Sequence, residues 1–137
     1  MKRIFSVLLM VMMFAFAGVC AAADGADLNK EQKTAEKLNA MLSGQELTYT
    51  VLAADMSAGL KENFKEEALT EVKKQAKEKL GTAKSITFRS FERYDDGDVV
   101  RYIGSFSKEK LVAIIYVFDK NQKLNLFSFT PVEEAKK

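Results

Sequence analysis

Gly81 divides this chain into two kinds of pattern, and that division limits the fold more than any other feature. Before it, apolar residues recur at helical spacing. After it they alternate, and three short turn signals interrupt the alternation. Asp95-Asp96-Gly97-Asp98 is a hairpin signal, Lys108-Glu109 a second turn, and Asp119-Lys120-Asn121-Gln122 a third. Four strands joined by three tight turns can only pair as an antiparallel meander. The strands are expected over 85–94, 98–107, 110–118 and 123–130, the last stopped by Pro131. Helices first and strands second make an α+β domain, with the helices packed on one face of a curved four-stranded sheet.

The helical half is less uniform. Asn29 and Gln32 have capping-box spacing, and Leu28, Ala35, Leu38, Met41 and Leu42 form a stripe. This predicts a helix over 30–43, ended by Gly44. Leu69, Val72, Ala76 and Leu80 predict a second helix over 66–80, with Lys and Glu on its solvated face and Gly81 as its stop. Between them, Leu47, Val51, Leu52 and Met56 fit a helix over 46–55, although Thr48, Tyr49 and Thr50 favour extended chain. A further turn is expected near Gly59.

The first 23 residues read as an export signal. Met1-Lys2-Arg3 precedes an uncharged, mostly apolar run from Ile4, and Ala21-Ala22-Ala23 supplies the small residues before cleavage. The domain is then 24–137, exported to the periplasm or secreted. The same run is long enough to span a bilayer if retained. Cys20 offers a lipidation site, although Ala17-Gly18-Val19 departs from the usual pattern there. Contact with a membrane is expected only in those two cases; lipidation would make the chain an envelope-attached accessory lipoprotein.

Cleavage removes Lys2 and Arg3 and no acid, leaving 19 bases against 19 acids. A neutral chain without a basic excess points away from nucleic acid. It would also lack cysteine, and histidine is absent throughout. Disulfides, thiol catalysis and Ser-His-Asp chemistry are excluded, and the commonest metal ligand is missing. No metal site or cofactor is expected. Asp95, Asp96 and Asp98 cluster oxygen donors but lack the distal Glu of a calcium loop.

Within 37–132, Met56-Ser57, Phe64, Leu69-Thr70 and Leu80-Gly81 stand ahead of the first strand. Lys123-Leu124-Asn125-Leu126-Phe127-Ser128-Phe129-Thr130-Pro131 closes the sheet. Together these resemble a bacterial secreted family, domain of unknown function 3887. Leu126-Phe127 stands where that family tends to carry Gly-Leu. The resemblance implies a nuclear transport factor 2-like (cystatin-like) cone. Cones of this type include enzymes, ligand binders and dimerisation modules, so the fold implies no single activity.

A register follows from the turns if Asp95 pairs with Asp98, Ser107 with Lys110 and Phe118 with Lys123. It sets Glu92, Arg101, Tyr116 and Asn125 opposite one another across all four strands. That row would line a pocket suited to the polar end of a ligand with an apolar body. It would equally serve as a cross-strand ion pair near the turn tips. The same register puts Ile86, Phe88, Ile103, Val112, Ile114, Phe118, Phe127 and Phe129 on the row's face. The opposite face takes Phe91, Val100, Tyr102, Phe106, Leu111, Ile115, Val117, Leu124 and Leu126. Helices cover one face only, so a homodimer is expected to bury the other. The functional expectation is a non-catalytic ligand-binding or assembly module. Its rival is an enzyme using Tyr or Glu for acid–base chemistry.

Overall fold

The computed structural model describes residues 25–132, with side chains from Leu28 onward. The expected export segment, its expected cleavage site and Cys20 lie outside the described residues. Among the described residues, four helices precede four strands: α1 (Gly25–Leu42), α2 (Tyr49–Ala53), α3 (Ala58–Asn63), α4 (Glu66–Lys79), β1 (Ala83–Tyr94), β2 (Gly97–Phe106), β3 (Val112–Phe118) and β4 (Leu124–Pro131). The sheet order is β1-β2-β3-β4, and every pair is antiparallel. The α+β meander expected from the turns is therefore observed.

α1 begins at Gly25, ahead of the expected start, so Asn29 lies inside the helix and does not cap it. Its buried face runs through Glu31, Thr34, Ala35, Leu38, Met41 and Leu42. The face opens with a polar pair that an apolar stripe does not register. Gly44 ends the helix at φ +100. Gly44 N–H bonds the Met41 carbonyl and Gln45 N–H the Ala40 carbonyl, as in a Schellman cap. α2 is shorter than the expected 46–55 helix because Thr48 caps it, its hydroxyl accepting from Val51 N. Leu47 is buried from the segment ahead of α2, outside any helix. Ser57 caps α3 in the same way, at 3.1 Å from Leu60 N. α4 buries Leu69 and Ala76 and ends at Gly81, φ +85.

Each turn departs from the expected register. In the first, Tyr94 pairs with Gly97 and Arg93 with Asp98, so Asp95-Asp96 form the loop and Gly97 opens β2. A side chain at Gly97 would collide with the Phe118 carbonyl oxygen, which restricts this position to glycine. In the second, β2 and β3 last pair at Gly104 and Val112. The connecting residues are drawn onto the end of α4: Ser107 N bonds Thr82 O at 2.8 Å, and Lys108 N bonds Leu80 O at 2.9 Å. This moves β3 by one residue and exchanges its faces relative to β2. In the third, Phe118 pairs with Leu124, and a bulge sets aside Asn125. Asp119 Oδ1 holds that loop by accepting from Asn121 N and Lys123 N.

The core face carries Val100, Tyr102, Phe106, Ile114, Tyr116 and Phe129, while Arg101, Ile103, Ile115 and Leu126 face outward. Ile103 thus leaves its expected neighbours, and Val100, Tyr102, Phe106 and Leu124 join the core. The segment before α3 is clipped to β4 through Leu124 N to Asp55 O (2.7 Å) and Ser57 N to Leu124 O (2.8 Å). At the β1–β2 tip, Arg93 grips Asp98 with two bonds, Nε–Oδ1 2.9 Å and Nη2–Oδ2 3.0 Å. The Asp98 side chain is only 4% exposed.

Removing Arg93 would leave that carboxylate buried without its bidentate partner. Arg93→Ala is expected to cost about 3 kcal/mol, with Asp98→Asn recovering part of the loss in the double variant. Urea unfolding of the four cycle members checks this. Equal and additive losses would show that the pair is not coupled.

Candidate functional site

Glu92, Arg101, Tyr116 and Asn125 do not form one row. Glu92 is opposite Val99, and Arg101 is opposite Ser90 and Ile115. Both lie on the outer face and still meet diagonally, Arg101 Nη2 to Glu92 Oε1 at 3.2 Å. Tyr94 also donates to Glu92. Both partners are more than one-third exposed, so the pair is worth at most about 1 kcal/mol. Asn125 sits in the β4 bulge and accepts from Ser57 Oγ at 2.7 Å. Tyr116 is on the opposite face, fully buried, and donates to Asn39 Oδ1 of α1 at 2.6 Å. The one-residue shift of β3 separates Tyr116 from Arg101, and the bulge separates Asn125 from both.

That shift brings Tyr116 beside Tyr102. Their rings meet edge to face at 5.9 Å, within a series that runs from Phe88 through Tyr102, Tyr116 and Phe129 to Phe127. Phe88 is exposed at one end, and Phe127 packs on Phe64 at the other. The two tyrosines differ in satisfaction. The Tyr116 hydroxyl has Asn39. The Tyr102 hydroxyl is buried and makes no hydrogen bond of good geometry among the described residues. Burial pushes Tyr102 up to about 12, the Glu36 carboxylate adds to the rise, and the Gln32 side chain opposes it. Gln32 is thus close enough to influence the phenol, but it misses bonding geometry. Burial also raises Tyr116 well above the usual phenol value, and Tyr102 reinforces this.

Tyr102 lines a groove of about 360 Å³ between α1 and the start of the sheet. Glu36 and Asn39 form one wall, and Lys84, Ser85 and Ile86 the other. A second cavity, about 280 Å³, lies around the end of α1. Met41 and Leu42 of α1, Ala76 of α4 and Phe106 of β2 give it apolar walls, with Lys73 and Lys77 also lining it. Ser43 borders both spaces. The groove gathers hydrogen-bonding groups of both kinds around a buried donor, a suitable arrangement for holding a polar ligand atom. The sequence pattern does not single out Tyr102 or Asn39. The available signal is the alternation of Val100, Tyr102 and Phe106 along β2, but which face that alternation shows to the helices depends on the register.

Among the described residues no group of three or more His, Cys, Asp or Glu is placed to hold a metal. Asp98, one of the hairpin aspartates, is taken by Arg93. No described helix is long and apolar enough to cross a membrane. A family model described as a protein of unknown function (DUF3887) matches residues 35–127. No curated protein and no solved structure matches the chain.

The free phenol predicts opposite outcomes at the two tyrosines. Tyr116→Phe is expected to lose about 1 kcal/mol with its bond to Asn39, while Tyr102→Phe keeps or slightly raises stability. Thermal unfolding compares them. Alkaline titration gives a second check. Both phenols ionise more easily unfolded, near pH 10. Their contribution is complete below pH 10 and is lost as the pH rises through about 12, where folded Tyr102 titrates. Of the four tyrosines, two should therefore ionise late in absorbance titrations, together with unfolding.

Proposed function

Because this chain belongs to DUF3887, a protein family of unknown function, we propose its role from its own geometry: an exported, non-catalytic module that binds a small ligand between α1 and the sheet. Its fold is read as a cone of the nuclear transport factor 2-like type. The helices before the meander and the inward-facing aromatic side chains support that reading. The basic start and apolar run of residues 1–23 support export.

One observation carries the binding role. Tyr102 lines the groove, and its buried hydroxyl has no acceptor among the described residues. A buried donor left unpaired costs roughly 1–3 kcal/mol, and a ligand oxygen or nitrogen seated in the groove relieves that cost. The same chemistry weighs against acid–base catalysis. A phenol near 12 supplies almost no phenolate at neutral pH, and Tyr116 is raised as well. Glu92, the other acid–base candidate, is on the outer face and bonded to Arg101 and Tyr94.

Native mass spectrometry of the protein purified from its own host tests the role. A mass increment carried by the natural protein, and missing from a stably folded Tyr102→Phe variant, is the expected result. A natural protein without any increment, together with a Tyr102→Phe variant that is less stable than its parent, would overturn it.

A further inference from the structure

The second cavity has a chemistry of its own, independent of the Tyr102 groove. Its walls are the last turn of α1 (Met41 and Leu42), Ala76 and Phe106. Ala76 lines it from α4, where a larger side chain would fill the space. Lys73 and Lys77 are one helical turn apart, so both ammonium groups extend along the same side of α4. Their apolar stems cover the walls while the charges remain at the opening.

The carboxylate of Glu46 already indicates what these charges accept. It lies 3.6 Å from Lys73 Nζ, and its side chain is 83% exposed. So exposed a pair is weakly held and gives way to a better-placed anion. Lys77 has no ion pair among the described residues. The carbonyls at the end of α1 are turned into the bonds of the Gly44 cap. Backbone dipoles therefore compete only weakly with the two full charges.

From this we infer that the cavity between α1 and α4 binds a free single-chain anionic amphiphile, its tail against Met41, Leu42, Ala76 and Phe106 and its head on Lys77 and Lys73. Glu46 is the internal competitor that the head displaces. The occupant is a dispersed molecule, not a membrane surface, because the apolar walls are recessed and the exposed faces of α4 carry both charge signs.

Sodium decanoate is the probe, titrated below micelle formation and followed by amide NMR shifts and calorimetry. Shifts are expected at 41–46, 73–77 and 81–82. Lys77→Glu is expected to weaken binding by about tenfold or more at low salt, with only a small loss of thermal stability from placing an acid in the last turn of α4. Glu46→Gln should tighten binding, an effect that a structural role for the Lys73–Glu46 pair would not produce. Decyl maltoside and decyltrimethylammonium should bind more weakly than decanoate. Phosphatidylglycerol vesicles should not sediment the protein. Tyr102→Phe should leave decanoate affinity unchanged, which separates this site from the groove.

Absence of decanoate binding would overturn the inference. So would equal affinity for the neutral or cationic detergent, indifference to Lys77→Glu, or shifts confined to another surface. Vesicle binding without decanoate binding would replace it with a membrane-surface role. None of these outcomes bears on the Tyr102 reading.

Discussion

The pairing of β2 with β3 determines which residues this protein shows to its helices. Side chains alternate along a strand, so a one-residue slip exchanges every residue between core and exterior. Here two bonds outside the sheet set the slip. Lys108 N reaches the Leu80 carbonyl at the end of α4, and Ser107 N reaches Thr82 just before β1. Thr82 N in turn bonds Ser107 Oγ at 2.9 Å. Gly81 lies between these contacts at φ +85, where a side chain would press on Ser107 and Lys108. The helix stop and the second turn are thus parts of one junction. Arg101 is outside and Tyr102 inside because of it.

The consequences extend across the sheet. With Val100, Tyr102, Ile114 and Tyr116 inward, aromatic rings pack edge to face from β1 to β4. Edge-to-face contacts add about 0.5–1.5 kcal/mol each beyond the area they bury. Such packing tolerates few alternative arrangements, so the hydroxyls at 102 and 116 are held in place. One of them meets Asn39; the other meets no acceptor among the described residues. The difference arises from α1, which brings Asn39 to the Tyr116 hydroxyl, whereas Gln32 and Glu36 lie near Tyr102 without accepting its proton.

Local chemistry makes most of the elements legible. Gly44 and Gly81 mark the helix stops correctly because a glycine directly after an apolar stripe supplies the positive φ that a helix end requires. The strand bounds follow from the turns to within a few residues. The start of α1 is hidden because Glu31 and Thr34 are buried there, and no hydrophobic pattern contains them. α2 is shorter than its apolar spacing suggests because Thr48 is a cap, a role that depends on where the chain enters. The polar row fails for a deeper reason. Turn residues specify that strands pair, whereas tertiary bonds to Leu80 and Thr82, and side-chain bonds to Asp119 within its own loop, decide by how many residues each loop is drawn in. Glu92 and Arg101 remain partners because both belong to one hairpin. Tyr116 and Asn125 join them only if the other two turns keep the simple register, and neither does.

Both cavities occur where α1 stops. Its last turn carries Ala40, with Ser43 just beyond, small residues beside Met41 and Leu42, and the Gly44 cap then directs the chain away. On one side the helix leaves the first residues of β1 uncovered, which opens the groove above Tyr102. On the other it meets α4 at Ala76, too small to close the space. A longer α1 would intrude on the second cavity, and its last two turns already line the groove beside Tyr102. The length of this helix therefore bears on two sites of different chemistry, one built on an unpaired neutral donor and the other on a pair of lysines. A neutral donor without a partner is indifferent to salt, while paired ammonium groups at an opening are screened by it. Ionic strength consequently separates the two sites in the intact protein, without any substitution.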